Sequence, residues 1–197
     1  MPSRTVGTSS DFPQSKFVVG AGTMHVLANG AGPHYPAEIF NKDELPPDRT
    51  YELPPADAST ASIAAKQQTG HQWQPLGPFQ AAVDYFGDGS LYIIDTPGHI
   101  TGHVNLLART GPKKWVFLGG DCCHDTRILS GESGIAMYDD GHGGMRSVHM
   151  DTDMATSSLE KIKSLKANVV DEDIEIVIAH DKGWMERNES RFLPGTL

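Results

Sequence analysis

The chain has 197 residues with a formal net charge of −9, and 38% of its residues are hydrophobic. That length can bury a core without a disulfide framework, and the acidic charge excludes general binding to nucleic-acid phosphates. The opening MPSRTVGTSS has no apolar stretch typical of a secretory signal, and no run is long enough to span a membrane.

The two cysteines, Cys122 and Cys123, are adjacent. Neighbouring cysteines rarely reach the separation that a disulfide needs, so the sequence predicts a reducing, cytoplasmic setting. Cys122 is interpreted as a small buried hydrophobic residue.

Apolar runs and turn residues predict the elements in chain order. FVVGAG predicts a strand, whereas residues 30–78 are rich in Pro, Asp, Gly, Ser and Gln and predict a long loop or insertion. AAVDYFGDGSLYIID predicts a hairpin around Gly87 and Gly89. VNLLA and KWVFLGG predict a second antiparallel pair.

The remainder alternates between polar and periodic segments. Residues 124–150 predict an irregular loop. MATSSLEKIKSLKANV predicts a helix that Asp151 or Thr152 caps and that buries Leu159, Ile162, Leu165 and Val169 on one face. IEIVIAHD predicts a buried strand and WMERNESRF a short polar helix, which together favour a layered α/β or α+β domain.

Histidines and aspartates follow three of the predicted strands. These side chains are His99 and His103, then Asp121 and His124, and finally His180 and Asp181. Strand ends that lead into loops are where such folds assemble their sites, and His and Asp are ligands for zinc or iron. A single histidine after a strand is still more often structural than a ligand. The default interpretation of the other histidines is structural or solvent-exposed: His25, His34, His71, His142 and His149.

The motifs DTPGHITGHVNLL, WVFLGGDCCH and IVIAHD, in this order, resemble the later half of metallo-β-lactamase-superfamily hydrolases. The ending AHDKGWMERNESRFLPG is similar to fungal lactonase-like members. The resemblance implies an α+β fold, a four-layer αβ/βα sandwich, and a single domain over residues 1–197 that lacks the N-terminal part of the sandwich.

The resemblance also implies roles for single residues. His103 and His180 would each bind a metal, Asp121 would bridge, and Asp121 and His180 would carry the acid–base steps. His99 would stabilise a turn, and His124 and Asp125 would line the mouth of the site.

The family's H-x-H-x-D-H segment, which supplies four ligands, has no counterpart in this sequence. The expectation is therefore at most one ion, zinc with iron or manganese as alternatives, and hydrolysis of a small ester, lactone or thioester in fungal secondary metabolism. A metal-free isomerase, lyase or cyclase, and a non-catalytic pseudoenzyme or gene fragment, stay open as alternatives. A sheet face left uncovered would favour a homodimer.

Overall fold

The computed structural model describes residues 8–57, 68–168, 172–192 and 195. The chain forms two compact units, which are described separately. The smaller unit comprises Met1–Gln72 and Thr101–His103, and the larger comprises Trp73–Ile100 and Val104–Leu197.

The described residues form short strands and helices. The strands are β1 Phe17–Val19, β2 Thr50–Glu52, β3 Gln74–Leu76, β4 Phe79–Asp84, β5 Leu91–Asp95, β6 Val104–Gly111, β7 Lys114–Leu118, β8 Tyr138–Asp139, β9 Met145–Arg146 and β10 Asp173–Val177. The helices are α1 Thr23–Asn29, α2 Thr126–Ser130, α3 Thr152–Asn168 and α4 Lys182–Arg187, with 3₁₀ turns at Ser9–Asp11, Ala37–Ile39 and Glu189–Arg191.

In the smaller unit, β1 pairs in parallel with β2. The strand predicted from FVVGAG is therefore confirmed. Helix α1 follows β1, and its Met24 backbone N–H donates to Glu52 Oε1 at 2.9 Å. The prediction that residues 30–78 are a long loop or insertion in a single domain stays a prediction.

The larger unit is built on a six-stranded sheet of order β10-β7-β6-β5-β4-β3. Strands β3 to β7 are antiparallel neighbours, which confirms both predicted hairpins. The Asp84 carboxylate fixes the first turn, because it accepts hydrogen bonds from the N–H groups of Gly87 and Gly89. Strand β10 returns parallel to β7 at the edge of the sheet.

Helix α3 covers one face of this sheet. Leu159, Ile162 and Leu165 are almost fully buried in one cluster with Ile94 and Phe117 of the strands. Each such side chain contributes about 1.5–3 kcal/mol when removed from water. The predicted apolar face is confirmed for these three positions, and Val169 lies outside the described residues.

The N-terminus of α3 is capped as the sequence predicts. The Asp151 carboxylate accepts the Met154 backbone N–H at 2.8 Å. On the face of the sheet opposite α3, the side chains of Val83, Ile93 and Val116 are also buried. The homodimer through an uncovered face stays a prediction.

The prediction of an irregular loop over residues 124–150 was wrong in part, because this segment contains α2 and the β8–β9 pair. Asp125 caps α2 by accepting the Arg127 N–H, and Gly131 ends the helix with a left-handed φ of 82°. Five residues carry too little periodicity to indicate a helix. Cap and stop residues were the only local signals.

The segment after β10 forms the predicted short helix α4. Asp181 caps it, and Glu175 of β10 accepts hydrogen bonds from Trp184 and Arg191.

Both cysteines are free and buried, in agreement with the interpretation of Cys122. The mixture of helices with a multi-stranded sheet confirms the α+β class. In the described parts of the chain, no helix combines the length and the apolar character needed to cross a membrane.

Candidate metal centre

Three of the residues that the sequence singled out meet at one edge of the sheet. Strand β5 is antiparallel to β6, β6 is antiparallel to β7, and β10 is parallel to β7. Strands β5, β7 and β10 therefore run in the same direction, and their carboxyl ends share an edge. The loops that leave these ends carry His99, Asp121 and His180.

Asp121 is central in this group. His180 Nε2 lies 2.9 Å from Asp121 Oδ1, and His99 Nε2 lies 3.9 Å from Asp121 Oδ2. The side chains of His180 and Asp121 are 33% and 34% exposed, so the pair is reachable from solvent.

His124 completes a set of three potential ligands. One ligand atom from each of Asp121, His124 and His180 lies within 4.8 Å of the other two. Partial burial, together with the neighbouring His180, lowers the pKa of His124 below its ordinary value. Burial therefore favours the neutral imidazole, which is the form that binds metals.

Two atoms of this set are buried without a hydrogen-bond partner among the described residues: Asp121 Oδ1 and His124 Nδ1. The close approach of His180 to Asp121 thus lacks the alignment of a hydrogen bond. Buried polar atoms are normally paired, and unpaired atoms on two of the three neighbouring candidate ligands fit a cation bound at this site. One carboxylate oxygen and two imidazole nitrogens are a donor set that zinc accepts.

His149 packs behind the three potential ligands. It is 4% exposed, and its Nδ1 lies 3.3 Å from Nδ1 of His99. The ring centroids of His124 and His149 are 5.5 Å apart, and those of His124 and His180 are 4.6 Å apart. The imidazoles of His99, His124, His149 and His180 therefore form one cluster that adjoins Asp121.

Backbone hydrogen bonds connect the two loops that carry Asp121 and His180. Gly119 N–H donates to Val177 O at 2.8 Å, and Ala179 N–H donates to Gly120 O at 2.9 Å. The buried Asn105 amide on β6 donates to Gly119 O at 2.8 Å. Asp121 and His180 are thus attached to one ladder, which fixes their separation.

The structure brings together two of the three predicted ligands, Asp121 and His180. His103 falls in the smaller unit, directly before β6, and its role as a ligand stays a prediction. The strand-end pattern included His124 among the possible ligands for zinc or iron, whereas the motif resemblance placed it at the mouth of the site; the structure brings it together with Asp121 and His180. His149 was treated as structural or exposed, and no local pattern indicated that it lies at the site.

No family model matches the chain. A curated relative named cytochrome P450 monooxygenase mpaDE, from Penicillium brevicompactum, is 32% identical over 190 residues, which cover 89% of this chain and 20% of the relative. The metallo-hydrolase mfmC of Annulohypoxylon moriforme is 48% identical over 56 residues, covering 27% of this chain and 15% of the relative. The gamma-lactamase FDB1 of Fusarium pseudograminearum is 49% identical over 51 residues, covering 25% of this chain and 12% of the relative.

Solved structures of lactone hydrolases share the fold. An N-acyl homoserine lactone hydrolase, with N-hexanoyl-L-homoserine bound at its catalytic metal centre, aligns with a TM-score of 0.53 and 16% identity. The alignment covers 94% of this chain and 54% of that one. AiiA from B. thuringiensis, with N-decanoyl-L-homoserine at its active site, aligns with the same TM-score, identity and coverage.

The chain spans a fifth of the length of the Penicillium relative and about half the length of these solved lactonases. At 16% identity the solved structures establish the fold, which is that of metallo-β-lactamase-type lactonases. The metallo-hydrolase and gamma-lactamase relatives add support from sequence. The comparisons therefore show a fold shared with lactone hydrolases, together with sequence similarity to a fungal metallo-hydrolase and a fungal gamma-lactamase over about a quarter of this chain.

Proposed function

We propose that the chain is a metal-dependent hydrolase of a small ester, lactone or thioester. The observation that carries the proposal is the convergence of Asp121, His124 and His180, whose ligand atoms lie within 4.8 Å of one another. The lactone hydrolase and gamma-lactamase names of the similar proteins support an acyl bond as the target.

These three side chains would hold one ion, with zinc preferred and iron or manganese as alternatives. When bound there, zinc would polarise the carbonyl group and lower the pKa of water toward ~7. Asp121 has a second carboxylate oxygen, Oδ2, that faces His99 at 3.9 Å, so it would orient water and accept its proton. His180, beside Asp121 and partly exposed, would either complete the metal shell or protonate the leaving oxygen.

The proposed setting is secondary metabolism in the cytoplasm of a fungus. The fungal origin of the similar proteins supports the first part, and two free, buried thiols support a reducing compartment. Since the chain covers a fifth of the mpaDE relative, the monooxygenase name of that longer protein is not carried over.

Metal content of the purified chain tests the proposal. We expect about one zinc per chain by elemental analysis, and loss of most of it in Asp121→Asn and His180→Gln, because each variant removes a ligand. The exposed His142 supplies the matched control, His142→Gln, which should keep the metal. A parallel pair, His124→Gln and His103→Gln, identifies the third ligand.

Hydrolysis of γ-butyrolactone and p-nitrophenyl acetate is then followed before and after chelation and zinc return. Loss on chelation and recovery with zinc support the proposal. Hydrolysis that survives chelation, or a chain that binds no metal at micromolar zinc, contradicts it.

A further inference from the structure

A small cavity opens beside the candidate metal centre. It has a volume of about 200 Å³ and is bounded by α2 and by the chain between Ser133 and Val148. His124 and His149 form its inner end, so it begins at the same imidazoles that face Asp121.

The walls of this cavity are mainly apolar. Ile128, Ile135, Ala136 and Val148 line it, and Ile128 and Ile135 also pack against the buried core of the larger unit. Contact with the core gives those two walls a fixed position. An apolar pocket with few polar groups at one end is the usual form of a small-molecule site.

The charged residues at this cavity neutralise each other. The Arg127 guanidinium donates to both carboxylate oxygens of Asp125, at 3.0 and 3.1 Å from Nε. The rim, by contrast, leaves apolar surface in water, since Tyr138 is 54% and Val148 is 42% exposed. An apolar ligand would cover that surface, which is a favourable change.

A second cavity that His124 also lines has the opposite character. It has a volume of about 480 Å³, also reaches His180, and is lined by Asp181, Lys182 and Arg187. A ligand with its reacting bond at His124 and His180 would therefore meet charged groups on one side and hydrocarbon on the other.

We propose that the 200 Å³ cavity binds the hydrocarbon part of the acyl group of the substrate, while the scissile carbonyl lies at the Asp121–His124–His180 site. This inference rests on the proposed hydrolase function and specifies the substrate class. If each non-hydrogen atom takes the ~30 Å³ that a water molecule occupies in the liquid, the cavity holds roughly six to seven atoms. Because the carbonyl lies outside this cavity, the preferred acyl group carries about six carbons beyond it, or a single ring.

Binding is tested without turnover by methyl NMR of the full 197-residue chain, with acetamide, butyramide, hexanamide and octanamide as probes. We expect the methyl signals of Ile128, Ile135 and Val148 to shift with hexanamide. Affinity should rise about fourfold per methylene up to hexanamide and rise less from hexanamide to octanamide, because the last carbon of octanamide lies beyond the roughly six carbons that the cavity holds. Equal affinity for acetamide and hexanamide would overturn the proposal.

A blocking variant provides the matched comparison. Ala136 is exposed, so Ala136→Trp should fold normally and fill the cavity, whereas Ala28→Trp places the same side chain at an exposed position that does not line it. We expect Ala136→Trp to weaken hexanamide binding at least tenfold and Ala28→Trp to leave it unchanged. Unchanged binding in Ala136→Trp contradicts the assignment.

Hydrolysis of p-nitrophenyl esters from acetate to octanoate separates this inference from the proposed function. A rise in kcat/KM up to hexanoate that Ala136→Trp removes supports both. If kcat/KM does not depend on chain length, the cavity assignment is overturned, whereas the proposed hydrolase function is still supported. Chain-length-dependent methyl shifts without any hydrolysis support the cavity and refute the hydrolase.

Discussion

Asp95 ends strand β5 in a largely buried position, and replacing it with asparagine should stabilise the protein above neutral pH. Burial raises the pKa of Asp95 to about 6, and the nearby Lys161 opposes this shift only in part. Asparagine has nearly the same shape and no charge. Asp95→Asn therefore removes the cost of an ionised carboxylate and changes little else.

The way in which the free energy of unfolding changes with pH follows from the raised pKa of Asp95 in the folded state. A carboxyl that titrates at about 6 when folded, instead of ~3.9 when unfolded, costs ~3 kcal/mol at pH 8. Below about pH 3 the carboxyl is protonated in both states and the cost disappears. As pH rises from 4 to 6, the unfolded chain releases its proton while the folded chain keeps it, so the wild type loses stability across this window.

Urea denaturation at pH 4, 6 and 8 measures this difference. We expect Asp95→Asn to lie within ~0.5 kcal/mol of the wild type at pH 4 and to exceed it by up to ~3 kcal/mol at pH 8, equivalent to ~6–12 °C in Tm for a chain of this size. The exposed Asp173 supplies the control, since Asp173→Asn should follow the wild type at each pH. Parallel stability curves for the wild type and Asp95→Asn would refute the reasoning.

Two further substitutions test contacts that position the loops next to the candidate site. Asn105→Ala removes the amide that holds Gly119 O at 2.8 Å, and should cost ~1–3 kcal/mol in urea denaturation and weaken Co²⁺ binding in a spectroscopic titration. Unchanged Co²⁺ affinity would limit Asn105 to a role in folding. Gly98→Ala should destabilise by ~2–4 kcal/mol, because φ is +126° and the added Cβ would overlap the Ala155 backbone. Gly134→Ala, which meets open space, is its control and should change the thermal midpoint little; equal losses in both would contradict the packing argument.

Local patterns were sufficient to predict much of the larger unit. Gly87 and Gly89 predict a turn because glycine accepts positive φ readily, and both residues do adopt positive φ. The Asp84 carboxylate, only a few residues earlier in the chain, accepts hydrogen bonds from their N–H groups. The spacing of Leu159 and Ile162 follows the helical period, so the buried face of α3 could be predicted without knowing its partner. Helix α2 and the β8–β9 pair are too short for any period to identify them.

For the candidate site, the sequence by itself determined that Asp121 and His180 follow apolar strands, and motif resemblance assigned them to a metal. Only the tertiary structure decided that His149 joins them, because it lies far along the chain from His99. Gly98 O and His99 O accept the N–H groups of residues 151 and 150, at 3.0 Å each, and these two hydrogen bonds draw the returning segment onto the site. Contacts between such distant segments depend on how strands and α3 pack, and packing of that kind leaves no period or spacing in the sequence.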